Sequence, residues 1–288
     1  MSFKLDLHVH SESSGLVCFD DKQLKTALLK RGLDGVAITN FHNISHALWL
    51  KKRLPGFVII VGQEIWSKDG HIVALGITKR IEDFKSAEET VALIHEQGGL
   101  AVAVHPYIFL GVGGELAANL PFDAVETYNA LLGLYLAYNW RANLLASKTR
   151  QPTLASTDTT DAAYIGRSYT EVMINDYHLI LEAIKYGLVK TVQRPLPIPI
   201  GFILKNFLQV KNVKPCRIHA VPCVICGYST TTSLFVNKKI CLDCGVEEVS
   251  RFSCSEQHYL CRHCMAKRVI ARDESINYDE YHSCVGVS

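Results

Sequence analysis

The first three-quarters of this chain almost lacks cysteine. Of ten cysteines in 288 residues, Cys18 alone precedes Cys216. Long apolar runs are also missing. No stretch approaches the ~18–20 consecutive apolar residues of a membrane span, so no membrane partner is expected. There is no excess of charge of one sign. Lys plus Arg is 30 and Asp plus Glu is 28, and the resulting +2 gives no global electrostatic footprint for nucleic acid or membrane. The opening Met-Ser-Phe-Lys-Leu-Asp shows no apolar signal stretch, so secretion is not expected and a cytoplasmic location is. With 48% hydrophobic and 20% charged residues, a mainly disordered or fibrous chain is excluded. No internal repeat or low-complexity tract is visible.

What is present is asymmetric. Nine cysteines crowd the last quarter, while His8, His10, His42, His46, His71, His95 and His105 fall in the first 105 residues. A cysteine cluster without an export signal reads as metal binding rather than a disulfide framework. Two metal-binding regions follow: one of N and O ligands, one mostly of S ligands.

Residues 1–190 alternate strand-like and helix-like segments. Apolar β-rich runs occur at Lys4–Val9, Gly35–Thr39, Phe57–Val61, His71–Ile77, Leu100–Val104, Ala124–Tyr128 and Thr153–Ser156. Helical spacing occurs at Lys22–Arg31, Ser45–Arg53, Ala87–Gln97, Leu134–Ser147 and Tyr177–Tyr186. Gly32, Gly98 and Gly187 stand where helices should stop. Repeated βα units predict an α/β fold with a mostly parallel sheet. Reactive residues at several strand ends favour a barrel with its site at the strand C-termini. Residues 191–214, with Pro195, Pro197 and Pro199, read as a linker. Residues 215–288 read as a small Cys-rich domain.

Asp6-Leu-His8-Val-His10 places two imidazoles on one strand face, because side chains alternate with period two. Glu64, His71, His105, Glu126 and Asp158 then appear in or at the ends of later strands. Charge at that density is costly to bury unless metals or partners compensate it. The motifs Asp-Leu-His8-Val-His10-Ser, Ala-Ile-Thr-Asn40-Phe-His-Asn, Gly-Gln-Glu64-Ile, Gly-His71-Ile-Val-Ala-Leu-Gly, Ala-Val-His105-Pro-Tyr, Asp-Ala-Val-Glu126-Thr-Tyr-Asn, Ala-Ser-Thr-Asp158 and Gly166-Arg-Ser-Tyr-Thr follow in order. Together they resemble the PHP domain, the polymerase and histidinol phosphatase group of phosphoesterases.

The resemblance implies a distorted seven-stranded, TIM-like (βα) barrel with up to three metals at the strand C-termini. One metal is held by His8, His10, Glu64 and Asp158. Glu64 bridges to a second, completed by His71 and His105. The family's third position is degraded. Its early ligand falls near Ser14 and Gly15, its middle motif reads Thr39-Asn40-Phe41 with His42 one place late, and its last residue is Thr160. The three departures weaken the same position, which implies a centre of two divalent ions (Zn, Mn or Fe), with His42 as a substitute ligand if its loop shifts. His8, His10, Glu64 and Asp158 would carry catalysis, and Arg167 reads either as a bidentate phosphate contact or as a surface salt bridge. Gly111-Val-Gly-Gly114 lacks the Lys of a phosphate-binding loop and reads as a flexible loop. His46, His95 and His178 sit in helical segments and read as surface or packing residues.

The tail contains Cys223-Val-Ile-Cys226-Gly and Cys241-Leu-Asp-Cys244-Gly, then Cys254, His258, Cys261 and Cys264, then a helix over Met265–Arg272. Paired Cys-x-x-Cys turns suit tetrahedral zinc, and the pattern resembles a zinc ribbon or a RING-like domain. Eight ligands hold two structural zinc ions, paired either sequentially or cross-braced. Cys216, His219, His282 and Cys284 are spare. Lys238-Lys239 and Lys267-Arg268 are candidate contacts for nucleic acid or protein, or plain solvated surface. The chain is therefore expected to be a metal-dependent phosphoesterase acting on a phosphorylated small molecule or a nucleic acid, with a zinc domain that recognises substrate or partner. The alternative is an impaired PHP-like scaffold serving as a RING-like adaptor.

Overall fold

The computed structural model describes residues 2–13, 16–108, 110–132, 136–196, 223, 225–226, 230–254 and 256–273. These form two units. The first holds residues 2–11 and 18–196. The second holds a short hairpin, β2 (Glu12–Ser13) with β3 (Leu16–Val17), and the described residues from 223 onward.

In the first unit, β1 (Phe3–Val9), β4 (Gly35–Ile38), β5 (Val58–Ser67), β6 (Gly70–Leu75), β7 (Leu100–Ala103), β8 (Ala124–Asn129) and β9 (Thr153–Ser156) lie side by side in chain order. These are the seven expected strands. The segment after β9 returns to β1, where Asp158 N–H donates to the His8 carbonyl (2.8 Å) and His10 N–H to the Thr159 carbonyl (3.0 Å). The sheet thus closes nearly into a barrel. Two further strands, β10 (Tyr169–Val172) and β11 (Val189–Val192), extend the sheet to nine, β10 pairing antiparallel with β1 and β11 with β10. They are short and lack a long β-rich run, so the sequence pattern did not mark them. The unit runs to Leu196, past the expected boundary at residue 190. The rest of the linker, 197–214, lies outside the described residues. The pairs β1–β4, β4–β5, β7–β8 and β8–β9 are parallel, but β6 is antiparallel to both neighbours. The turn Ser67–Gly70 is too short for a crossover helix, so β5 and β6 form a hairpin.

The helices are α1 (Asp21–Arg31), α2 (Ser45–Arg53), α3 (Ala87–Glu96), α4 (Gly113–Asn119), α5 (Leu136–Thr149) and α6 (Ile180–Lys185). Asp20 begins α1 with a capping box, its side chain accepting from Gln23 N–H, and Gly32 ends it at φ 62°. The expected flexible loop at Gly111–Gly114 is instead ordered. Gly111 bridges to His71, and α4 starts at Gly113. A β-carbon on Gly111 would come within 2.4 Å of the His105 carbonyl, so glycine permits this close approach beside a candidate ligand.

Two apolar layers hold the unit. An inner cluster takes Leu5, Ala37, Ile60, Val73, Val102, Ala124 and Leu154, one from each barrel strand, and is closed by Ile180 and Ile184 of α6. An outer cluster packs the strands on α1 to α5 through Leu28, Leu50, Ile94, Ala117 and Leu145. Leu5 and Leu7 belong to the inner cluster and Val9 to the outer one. The register of β1 on β4 slips between Asp6 and Val9. That slip turns the end of β1 and sets His8 and His10 toward the barrel mouth.

In the second unit, β12 (Thr230–Ile240) and β13 (Glu247–Cys254) form an antiparallel hairpin, followed by a helix over Arg262–Asp273. Among the described residues, no helix is long and apolar enough to cross a membrane.

Candidate metal centres

Four strand ends of the first unit deliver six side chains to one place. His8 and His10 come from the end of β1, Glu64 and His71 from the β5–β6 hairpin, His105 from beyond β7 and Asp158 from beyond β9. All but Asp158 are fully buried. The donor atoms of His8, His10, Glu64 and Asp158 lie within 4.8 Å of one another, as do those of Glu64, His71 and His105. Glu64 Oε2 faces the first set, 3.1 Å from His8 Nε2 and 3.0 Å from His10 Nε2. Glu64 Oε1 faces the second, 2.7 Å from His71 Nδ1 and 3.1 Å from His105 Nε2. Asp158 Oδ1 completes the first, 3.4 and 3.3 Å from the same two nitrogens of His8 and His10. One carboxylate thus presents one oxygen to each set.

The charge balance is unusual for a buried place. Burial pushes the Glu64 carboxyl up, but His71 and His8 beside it, with His10 close by and a hydrogen bond from His105, hold it well below its ordinary range. Asp158 is likewise held at about 2, chiefly by His8 and His10 against burial. Burial disfavours a charged His8, His10 or His105, yet the surrounding carboxylates raise all three. At His71 burial wins and its pKa falls. Both ring nitrogens of His10 and Nδ1 of His105 are buried without an aligned hydrogen-bond partner. Buried polar atoms are rarely left so. Orphaned imidazole nitrogens facing carboxylates fit divalent cations, and the N/O donor sets suit Zn, Mn or Fe. His105 (φ 30°) and Asp158 (φ 55°) both take the left-handed backbone region, a strain that clusters at functional sites.

The other expectations fare differently. His42 joins neither donor set. Its Nδ1 donates to Asp83 Oδ2 at 2.8 Å, and its ring meets the edge of Trp66. The substitute-ligand role is therefore corrected, because Asp83 captures the ring. Phe41 stacks on His10 with centroids 4.7 Å apart and meets His71 edge-on at 5.4 Å, so an aromatic ring lies against one ligand of each set. Ser14 and Gly15 lie outside the described residues. Arg167 donates from Nε to the Pro195 carbonyl. His46 is a packing residue, buried, with Nδ1 2.8 Å from Ser11 Oγ. His95 is bound to Asp123 at 2.7 Å.

Several residues support the donors from outside both sets. Glu126 binds His8 Nδ1 at 3.0 Å rather than joining a donor set. Asn129 Nδ2 donates to Asp158 Oδ2 at 2.9 Å. Asp6, inside the His-x-His motif, accepts from Thr157 N–H, Thr157 Oγ1 and Gly166 N–H, and so steadies the turn that carries Asp158. Its carboxyl is pushed up to about 7 by burial, which outweighs those hydrogen bonds.

The second unit resolves the pairing left open by sequence. Cys223, Cys226, Cys254 and His258 form one group, and Cys241, Cys244, Cys261 and Cys264 the other. This is the cross-braced arrangement. Cys244 and Cys261 sulfurs lie 3.7 Å apart, Cys226 and Cys254 sulfurs 3.9 Å. Burial raises the Cys241 thiol, but backbone N–H groups of Cys261, Cys244 and Asp243 pull it down to about 6. The knuckle turn therefore prepares a thiolate for a cation. None of the described cysteines is in a disulfide. The sets are four-ligand and closed, as in structural zinc sites. Lys238 pairs with Glu247 and Arg268 with Asp243 at the surface. Cys216, His219, His282 and Cys284 lie outside the described residues.

No family model matches the chain. The uncharacterized protein MJ1587 of Methanocaldococcus jannaschii is 34% identical over 140 residues, covering 44% of this chain and 82% of that protein. A two-domain protein from Bacteroides vulgatus, containing a predicted PHP-like metal-dependent phosphoesterase, is similar over 88% of this chain and 86% of its own, with a TM-score of 0.57 and 17% identity. Endonuclease Q, solved with a 27-mer duplex substrate that has an abasic lesion at the active site, is similar over 94% of this chain and 72% of its own, with a TM-score of 0.51 and 14% identity. At these identities the likeness is one of fold: the first unit has the PHP-like barrel.

Proposed function

The chain belongs to one family with the uncharacterized Methanocaldococcus jannaschii protein, and from the PHP-like fold and the two donor sets we propose that it is a metal-dependent hydrolase of phosphodiester bonds in nucleic acid. The observation that carries the proposal is the shared carboxylate. Glu64 turns one oxygen to His8, His10 and Asp158 and the other to His71 and His105. These six residues would hold two divalent ions, which supply Lewis acidity and an activated water for attack on phosphorus. The chain's own part is to fix the donor groups on rigid strand ends and to keep the Glu64 and Asp158 carboxylates ionised in a buried place. Arg167 would contact a phosphate through its terminal nitrogens, since its Nε is occupied by Pro195. Nucleic acid is favoured over a small phosphomonoester because Endonuclease Q, which takes duplex DNA, is similar over 94% of this chain. The zinc unit would then serve to bind substrate. The cross-braced pairing also supports the second reading, an adaptor whose barrel no longer acts.

The test is a substrate panel on the full chain with added Mn²⁺ or Zn²⁺. Cleavage of single- or double-stranded oligonucleotides that is lost in Glu64→Ala supports the hydrolase. Turnover of phosphomonoesters alone moves the substrate class. No turnover of any substrate by a metal-loaded protein favours the adaptor. An Arg167→Ala variant should raise KM by about 10-fold with kcat little changed, as for a lost charge-assisted phosphate contact.

A further inference from the structure

Glu126 lies in β8 among the candidate ligands, 2% exposed, yet belongs to neither donor set. Its two oxygens accept four hydrogen bonds. Oε1 accepts from His8 Nδ1 at 3.0 Å and from Ser156 Oγ. Oε2 accepts from the His105 backbone N–H at 3.0 Å and from Asn129 Nδ2 at 3.0 Å. An ionised carboxylate offers about four lone-pair positions. All four are filled, so none remains for an ion.

The donors connect the two sets. His8 belongs to the first set and His105 to the second. Asn129 spans from Glu126 to Asp158, a further member of the first. The contact at His105 is to its backbone, at a left-handed φ of 30° that needs support. At His8 the contact decides the tautomer. A proton kept on Nδ1 by Glu126 leaves the Nε2 lone pair directed at Glu64 and Asp158. Such outer carboxylates set ligand orientation and basicity in metal sites.

We propose that Glu126 is a positioning residue that holds His8 in the Nδ1–H tautomer and links the two ion positions through one carboxylate. The proposal rests on the two-ion reading above. Glu126→Gln tests it because the shape is kept while one oxygen becomes an N–H donor. With the amide nitrogen toward His8, the ring must accept at Nδ1, and its proton moves to Nε2 to compete with the ion. With the amide nitrogen toward His105, donor meets donor. Both orientations weaken ion binding.

The full chain, its thiolate sites kept zinc-loaded, is titrated with Mn²⁺ and followed by electron paramagnetic resonance. The wild type should take up two barrel ions with the signal of a coupled pair. In Glu126→Gln both Mn²⁺ affinities should fall by about 10–100-fold, while two ions are still reached at high Mn²⁺. Ser156→Ala, which removes one donor and spares the bonds to His8 and His105, should shift affinity clearly less than Glu126→Gln does. Affinities in Glu126→Gln within twofold of wild type overturn the proposal. So does permanent loss of one ion at saturation, which would make Glu126 a ligand. If the variant does not fold, the zinc-loaded wild type decides: long-range ¹H–¹⁵N spectra should place the His8 proton on Nδ1, and a proton on Nε2 overturns the proposal. A wild type that binds no Mn²⁺ overturns the two-ion reading itself and this proposal with it. Hydrolysis is not read, so a barrel that binds two ions but cleaves nothing leaves only the hydrolase reading refuted.

Discussion

The two units hold their metal-binding groups in opposite ways. In the barrel, donors stand on strand ends above an interior built from all seven strands, so apolar packing holds the site. In the Cys-rich unit, Ile240, Leu242, Val246 and Val249 are 62, 60, 42 and 68% exposed, and among the described residues those buried are mainly the cysteines themselves. There the metal must hold the chain. The contrast separates sites a fold can build before its metal arrives from sites that exist only with it.

Removing metal should break the comparison open most widely. A strong chelator should unfold the zinc unit, since structural zinc contributes on the order of 10–16 kcal/mol of apparent binding energy. The barrel should keep its far-ultraviolet circular dichroism and resist proteolysis. Simultaneous collapse of both units would show that the barrel, too, depends on its ions.

Glu64→Ala should next remove both barrel ions at once. Loss of an outer partner costs about 10–100-fold in affinity or activity, so loss of the shared carboxylate should exceed that, with the zinc content of the tail unchanged. Retention of one tight barrel ion would deny that Glu64 is shared.

Leu75→Ala, in the barrel interior and fully buried, should destabilise the barrel by about 2–5 kcal/mol in urea melts. The same melts should leave the zinc unit's midpoint in place. A cost under 1 kcal/mol would contradict an interior held by packing.

The last effect appears only in acid. Burial lowers His46 from 6.5 to about 3, against a weaker opposing pull from Asp21. The folded pKa lies below the unfolded one, so the unfolded chain binds the extra proton. Stability from neutral His46 is present above pH 6.5 and is lost as pH falls toward 3, by about 1.4 kcal/mol per pH unit at most. A His46→Phe variant should show a flatter acid limb in thermal melts. An unchanged limb would place the acid sensitivity elsewhere.

Much of this architecture was legible in the sequence, for physical reasons. Some barrel strands are apolar on two faces, so Leu100–Val104 or Gly35–Thr39 stands out without any alternation. Helix ends were marked by glycines such as Gly32, which only a left-handed stop explains. The strands β10 and β11 were not visible, since four residues such as Tyr169–Val172 carry too little pattern. Helix α4 hid in a glycine-rich run that reads as a loop. Among candidate site residues, the His-x-His pair and the strand-end Glu64, His105 and Asp158 follow from period and position. The split roles of two carboxylates did not. Nothing in spacing separates Glu126 from Glu64. The family resemblance gave Glu64 its shared role, but only three dimensions show the two oxygens of Glu126 saturated by four donors. His42 misled for the same reason, because its capture by Asp83, 41 residues away, is a tertiary event. The cross-braced pairing likewise needed the path of the β12–β13 hairpin.

The most direct measurement is a crystal structure of the full chain soaked with Mn²⁺, with anomalous scattering recorded at the manganese edge. Two barrel peaks are predicted, one among His8, His10, Glu64 and Asp158, and one among Glu64, His71 and His105. Each should lie against a different oxygen of Glu64. A single peak, a peak held by His42, or none at all would contradict the account.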